Sequence, residues 1–184
     1  MSEQILILSE ALRAYARLYP AHQPLAEQFL DVAVTVPHAF ERAQGAGHFS
    51  GSAWLVSADG RRVLLTHHRK LDRWLQLGGH ADGDRDLAAV ALREAQEESG
   101  LGQLHLEPGI FDLDQHLIPA RGDEPAHWHY DVRYVVRAHG SEAFAINEES
   151  LALAWRSIEA IAADPRSDES LQRMARRWLA RGDR

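Results

Sequence analysis

The chain has 184 residues, 45% of them hydrophobic, which suits one globular domain with an extension and a core that needs no covalent staples. It contains no cysteine, which excludes disulfides, thiolate metal sites and a cysteine nucleophile, and a reducing, cytoplasmic setting is expected. A formal charge of -7 argues against a broad DNA or RNA surface, and no apolar run is long enough to span a membrane.

The opening MSEQILILSEALR has acids around a short apolar run and no basic start, so it is not read as a secretory signal. Ile5, Leu8, Leu12, Tyr15 and Leu18 recur every three or four residues, which predicts an amphipathic helix over Ser2 to Tyr19, broken by Pro20 and Pro24. A second helix is expected from about Leu25 to Val34, and Gln44-Gly45-Ala46-Gly47 reads as a hinge. Residues 1–45 are thus expected to form a helical extension packed on a main domain of residues 46–184. The apolar faces of these helices need a partner, either the chain's own sheet or a second subunit, and a homodimer is the expectation.

The main body opens with a strand over His48 to Ser57, a turn at Asp59-Gly60 and a return strand over Arg62 to Thr66. A loop rich in His, Gly and Asp is expected over His67 to Gly83. A helix follows from about Asp86 to Glu98, with Asp86 capping its start and Gly100 ending it. Ile110 to Ile118, His127 to Ala138 and Leu151 to Trp155 read as strands, and Ile158 to Ala163 and Glu169 to Ala180 as helices. Strands with helices before, between and after them imply an α/β (α+β) fold in which helices cover a sheet.

Within the central helix Glu94, Glu97 and Glu98 fall at i, i+3 and i+4, on one face. Three like charges repel there, and a divalent cation relieves the conflict. Oxygen-only donors of this kind suit Mg²⁺, with Mn²⁺ as a substitute. For an arbitrary helix a solvated acidic face is the commoner explanation, so the context decides.

That context resembles the Nudix box. Gly79 lies fourteen residues before Arg93, and Arg93-Glu94-Ala95-Gln96-Glu97-Glu98-Ser99-Gly100-Leu101 completes the pattern through residues 79–101. Six fixed letters in register arise by chance on the order of once in 10⁵ such chains. Two positions depart: Arg85 stands where the box has its first Glu, between Asp84 and Asp86, and Ala95 is small for an aliphatic slot. Trp74-Leu75-Gln76-Leu77-Gly78-Gly79 is similar to the Trp-x-x-Pro-Gly-Gly entry of the family, with Leu77 in place of Pro. Asn147-Glu148-Glu149-Ser150 is similar to the acidic loop before its Trp-containing strand.

The resemblance implies a Nudix-type α-β-α sandwich with a mixed sheet, hydrolysing a small nucleotide-type substrate: a nucleoside diphosphate linked to another group. Metal would be held by Glu94, Glu97 and Glu98. Glu98, Glu97 or Glu149 would act as base, and Arg93 would orient a glutamate. The alternative is a non-catalytic nucleotide-binding or regulatory module of the same fold, although such modules often lose box glutamates and all three survive here. An isomerase of the fold acting on isopentenyl diphosphate is disfavoured by the missing cysteine, and an RNA-cap hydrolase by the acidic balance.

Lys70 and Arg73, in the basic stretch after His67, are candidates for a distal phosphate, and Gly79, His80 and His129 for lining the substrate pocket. His127, His129 and Asp131 share a strand face, but two histidines fall short of a zinc ligand set, so a polar sheet face is the better explanation. Trp54, Trp74, Trp128 and Trp155 are expected mainly in the core, and Arg173, Arg176 and Arg177 on a solvated helix face.

Overall fold

The computed structural model describes residues 2–43, 45–69, 72–120, 122, 125–145 and 150–182. Lys70, Asn147, Glu148 and Glu149, singled out above, lie outside the described residues, as does Gln44 of the expected hinge.

The first helix, α1 (Glu3–Leu18), begins where the Ser2 hydroxyl accepts from the Ile5 amide, and it buries Ile5, Leu8, Leu12 and Tyr15. A short 3-10 turn (Pro20–His22) leads into α2 (Gln23–Thr35). Pro24 therefore sits in the first turn of α2, where a missing N–H is tolerated, and does not break the helix.

The strands are β1 (Gly47–Val56), β2 (Arg62–His68), β3 (Arg73–Leu75), β4 (Leu77–His80), β5 (Leu104–Leu106), β6 (Asp112–Ile118), β7 (His127–Ala138) and β8 (Ser150–Ser157). Helix α3 (Leu87–Ser99) falls between β4 and β5, and α4 (Ile158–Ala163) and α5 (Glu169–Leu179) close the chain. The stretch expected as a loop over 67–83 thus contains the end of β2 and all of β3 and β4. Two consecutive glycines carry no side-chain pattern. Pairing with β1 makes Leu77–His80 a strand, through Ser50↔His80, Gly51↔Gly79 and Ser52↔Gly78.

The described strands form one mixed sheet whose centre is the parallel pair β1 and β7, in register from Gly47↔Trp128 to Val56↔Arg137. Strand β4 flanks β1 and β6 flanks β7 at one end of this pair; β2 flanks β1 and β5 flanks β7 at the other. Strands β3 and β8 pair with β2.

Alternation along β1 and β7 gives the sheet two unlike faces. Phe49, Ala53, Val132 and Tyr134 look toward α3 and the N-terminal helices. Gly51 lets α3 approach: a β-carbon there would lie 2.7 Å from the Leu87 carbonyl oxygen. Phe29 of α2 and Phe49 meet edge to face at 5.9 Å, both fully buried, each contributing about 1.5–3 kcal/mol of transfer free energy. Within the chain α1 and α2 bury Ile5, Leu8, Leu12, Tyr15, Phe29 and Val32, while Leu18 of the expected stripe stays exposed.

The opposite face is apolar at one end, where Trp54, Val56 and Val135 pack on α4 and α5. Next to them it holds a buried ion network. Arg133 is 3% exposed and lies 2.7 Å from Asp131 and 3.2 Å from both Asp112 and Asp114. Ser50 and Ser52 donate to Asp131 at 3.0 and 2.7 Å, and Gln76 donates to it at 3.2 Å. Arg173 and Arg177 each reach Asp112 at 2.7 Å, and Arg177 also donates to the Tyr15 hydroxyl of α1 at 2.8 Å. These two arginines are structural, and the expectation of a solvated face for them is wrong: their acids arrive from β6, some 60 residues away in sequence.

Among the tryptophans, Trp54 is fully buried and Trp128 is 40% exposed. Trp74 lies between a stacked His67, at 5.3 Å, and the Arg156 guanidinium, also at 5.3 Å.

Candidate active site

The site is built where β4 meets the last two turns of α3. Asp86 accepts from the Ala89 amide at the start of α3, and Gly100, at φ 70°, ends it in the left-handed conformation that favours glycine. Between these caps Glu94 and Glu98 turn inward to β4 and Glu97 stays exposed. Glu98 is 8% exposed and its Oε1 accepts a 2.9 Å hydrogen bond from the Gly78 amide. Glu94 lies against Gly79, where a β-carbon would come within 2.5 Å of Glu94 Oε2. Gly79 thus makes room for Glu94, whereas a β-carbon at Gly78 would meet Ser52 of β1.

Arg93 stands 3.7 Å from Glu94 and 3.5 Å from Asp84. Asp84 also accepts from the Asp86 amide at 3.0 Å. An aspartate one position before Arg85 thus offers Arg93 a carboxylate, while Arg85 itself is exposed. The turn leading there is held by the N-terminal segment. The Gly83 amide donates to the Phe40 carbonyl at 2.7 Å, and Arg42 forks onto Asp82, itself at φ 47°, at 3.1 and 3.2 Å.

The carboxylates suit a hard divalent cation in their donor chemistry: three glutamate side chains on one helix face, two of them drawn in beside backbone. Arg73 lies on β3 and faces Asp168 at the start of α5, at 3.7 Å.

His80 and His129 meet in a group that sequence reading did not assemble. His48, His80 and His129 come from β1, β4 and β7, and one ring nitrogen from each lies within 4.8 Å of the others. Ring centres are 4.8 to 5.0 Å apart, and His127 lies 3.3 Å from His129 between Nε2 atoms. Burial, followed by repulsion from Arg42 and from His48, pulls His80 down to about 4. His129 is pulled down to about 2, chiefly by burial and then by the neighbouring imidazoles. Sequence reading missed His48 because its place beside His129 follows from the β1–β7 register. The signal was there in part: His48 and His127 each begin an alternating strand.

Comparison with known proteins fits this geometry. A family model of the NUDIX domain matches residues 48–178. No curated protein matches the chain in sequence. Among solved structures, an Ap4A hydrolase of C. elegans in a binary complex superposes with a TM-score of 0.56 at 15% identity, covering 72% of this chain and 95% of that one. A NUDIX family hydrolase from Clostridium perfringens gives 0.55 at 23% identity, covering 74% and 98%. An ADP-ribose pyrophosphatase from Streptococcus suis gives 0.51 at 18% identity, covering 73% and 92%. At these identities the likeness is one of fold. The family match, however, runs from β1 through the box to α5, and the chain belongs to the NUDIX domain family.

Proposed function

We propose that the protein is a metal-dependent pyrophosphohydrolase that cleaves a phosphoanhydride bond in a nucleoside diphosphate linked to another group. The observation that carries this reading is the approach of Glu94 and Glu98 to the Gly78-Gly79 strand, with Arg93 beside Glu94. The family supports hydrolysis of this kind in general. The names of two solved relatives, an Ap4A hydrolase and an ADP-ribose pyrophosphatase, support a substrate in which a nucleotide is joined through an anhydride.

In this reading Glu94, Glu97 and Glu98 hold Mg²⁺, with Mn²⁺ as a substitute. The cation, when bound, offsets phosphate charge and acidifies the attacking water. The oxygen of water attacks phosphorus, the anhydride P–O bond breaks, and its electron pair leaves on the bridging oxygen. Glu98, Glu97 or Glu149 takes the proton from water. Arg93, between Asp84 and Glu94, fixes the Glu94 carboxylate. Gly79 leaves the room that the Glu94 carboxylate occupies. Lys70 and Arg73 are proposed contacts for a distal phosphate, and the absence of cysteine fits a cytoplasmic setting.

A product-resolved panel tests the reading. Nucleoside diphosphate sugars, dinucleoside polyphosphates, ADP-ribose and nucleoside triphosphates are incubated with protein and Mg²⁺, Mn²⁺ or chelator. Turnover that needs metal and yields anhydride-cleavage products is expected. Binding of a nucleotide without turnover on any compound would instead favour a non-catalytic module.

A further inference from the structure

We infer that His48, His80 and His129 form a second metal site, for a zinc-class divalent cation, chemically distinct from the carboxylates of the box. The three side chains come from β1, β4 and β7, strands that are neighbours in the sheet, and they surround a common point. His48 pairs across the sheet with His129, and His80 pairs with Ser50, two residues along β1 on the same face. Rigid strands therefore fix all three, as a metal site requires.

The distances suit an ion of this class. Two nitrogens on a tetrahedral zinc with bonds of about 2.0–2.1 Å lie about 3.3 Å apart. The ring nitrogens of the triad are within 4.8 Å of one another, so closure takes side-chain shifts on the order of 1 Å. His127 flanks the triad: its Nδ1–H donates to the Pro125 carbonyl at 2.9 Å, and its Nε2 lies 3.3 Å from His129 Nε2.

Donor type separates this site from the box. Imidazole nitrogen selects zinc, copper or nickel over magnesium, whereas the glutamates select magnesium or manganese. Three protein ligands leave a coordination position open. The site lies on the sheet face opposite α3 and is joined to the box through β4, since His80 follows Gly79. A bound ion would tie β1, β4 and β7 together under the strand on which the box glutamates rest.

The test uses the full chain loaded with zinc and dialysed, with zinc content and the zinc X-ray absorption edge as readouts. About one zinc per chain with an imidazole-nitrogen shell is expected. Affinity should fall by at least about tenfold in His80→Ala and His129→Ala and stay unchanged in Glu97→Gln. Failure to retain zinc, or an oxygen-only shell lost in Glu97→Gln, overturns the site. If the histidine variants do not fold, the ligand shell of the wild-type protein decides alone. Because the readout is metal content and not turnover, an inactive protein that holds zinc on nitrogen still supports the site.

Discussion

Gly79 and Glu94 occupy space that a methyl group and a carboxylate cannot share: a β-carbon on Gly79 would lie 2.5 Å from Glu94 Oε2 and 2.6 Å from its Cδ. The backbone at Gly79 is not in the left-handed region, so the demand for glycine here is one of room, not of φ. Gly79→Ala is expected to fold and to push Glu94 off its place. A displacement of about 1 Å in a catalytic constellation costs about 10²-fold in rate, so turnover should drop by that order with far-UV circular dichroism unchanged. Undiminished turnover would mean that Glu94 does not serve the reaction.

Asp84 is placed to take the supporting role of the glutamate that Arg85 replaces, but its pair with Arg93 is 42% exposed at both side chains. Such a pair contributes at most about 1 kcal/mol. Asp84→Ala should therefore lower turnover by no more than about fivefold, with KM nearly constant. A loss of several orders of magnitude would assign Asp84 a direct part in the chemistry.

Arg133 is the hub of the buried ion network, and three aspartates depend on it. Arg133→Met leaves buried carboxylates with less compensation, which costs about 3–5 kcal/mol. Urea unfolding should show this loss in the midpoint. A shift below about 1 kcal/mol would show that Arg173 and Arg177 suffice to hold the acids.

The same network sets a pH dependence. Burial pushes the Asp114 carboxyl up, but the hydrogen bond with His116 and the charges of Arg133 and Arg173 outweigh it and hold the group well below the usual carboxylate range. Asp112 shares Arg133 and Arg173 with it, and Asp131 shares Arg133. A folded state that binds this proton more weakly than the unfolded chain is stabilised above the ordinary value of 3.8 and loses that stability as pH falls below it. Stability should begin to drop below about pH 5, with most of the loss below pH 3.8, and less steeply in Asp114→Asn. Equal slopes in the two proteins would remove Asp114 from the account.

Much of this site was legible in the chain, because its signals are local. Asp86 and Gly100 mark the ends of α3, and Glu94, Glu97 and Glu98 fall on one face by helical periodicity alone. Strands β3, β4 and β5 were not legible, since three or four residues are too short a run to mark a strand and β4 holds two glycines, and pairing with longer strands makes them. The roles of Arg173 and Arg177 were misread for a related reason. A helix rich in arginine looks solvated until β6 delivers Asp112 and Asp114 to it. The histidine cluster is the extreme case: its members are spread from residue 48 to residue 129, and the registers of β1 with β7 and of β1 with β4 join them.

The most direct measurement compares wild type with Glu97→Gln on the best substrate of the panel, with Mg²⁺ or chelator, in ¹⁸O-labelled water. Metal-dependent turnover that places the label on a phosphate product, and falls by about 10²-fold or more in Glu97→Gln, is the predicted result. Turnover that survives both chelation and the substitution, or a label that enters the group beyond the phosphates, would contradict water attack on phosphorus at the box.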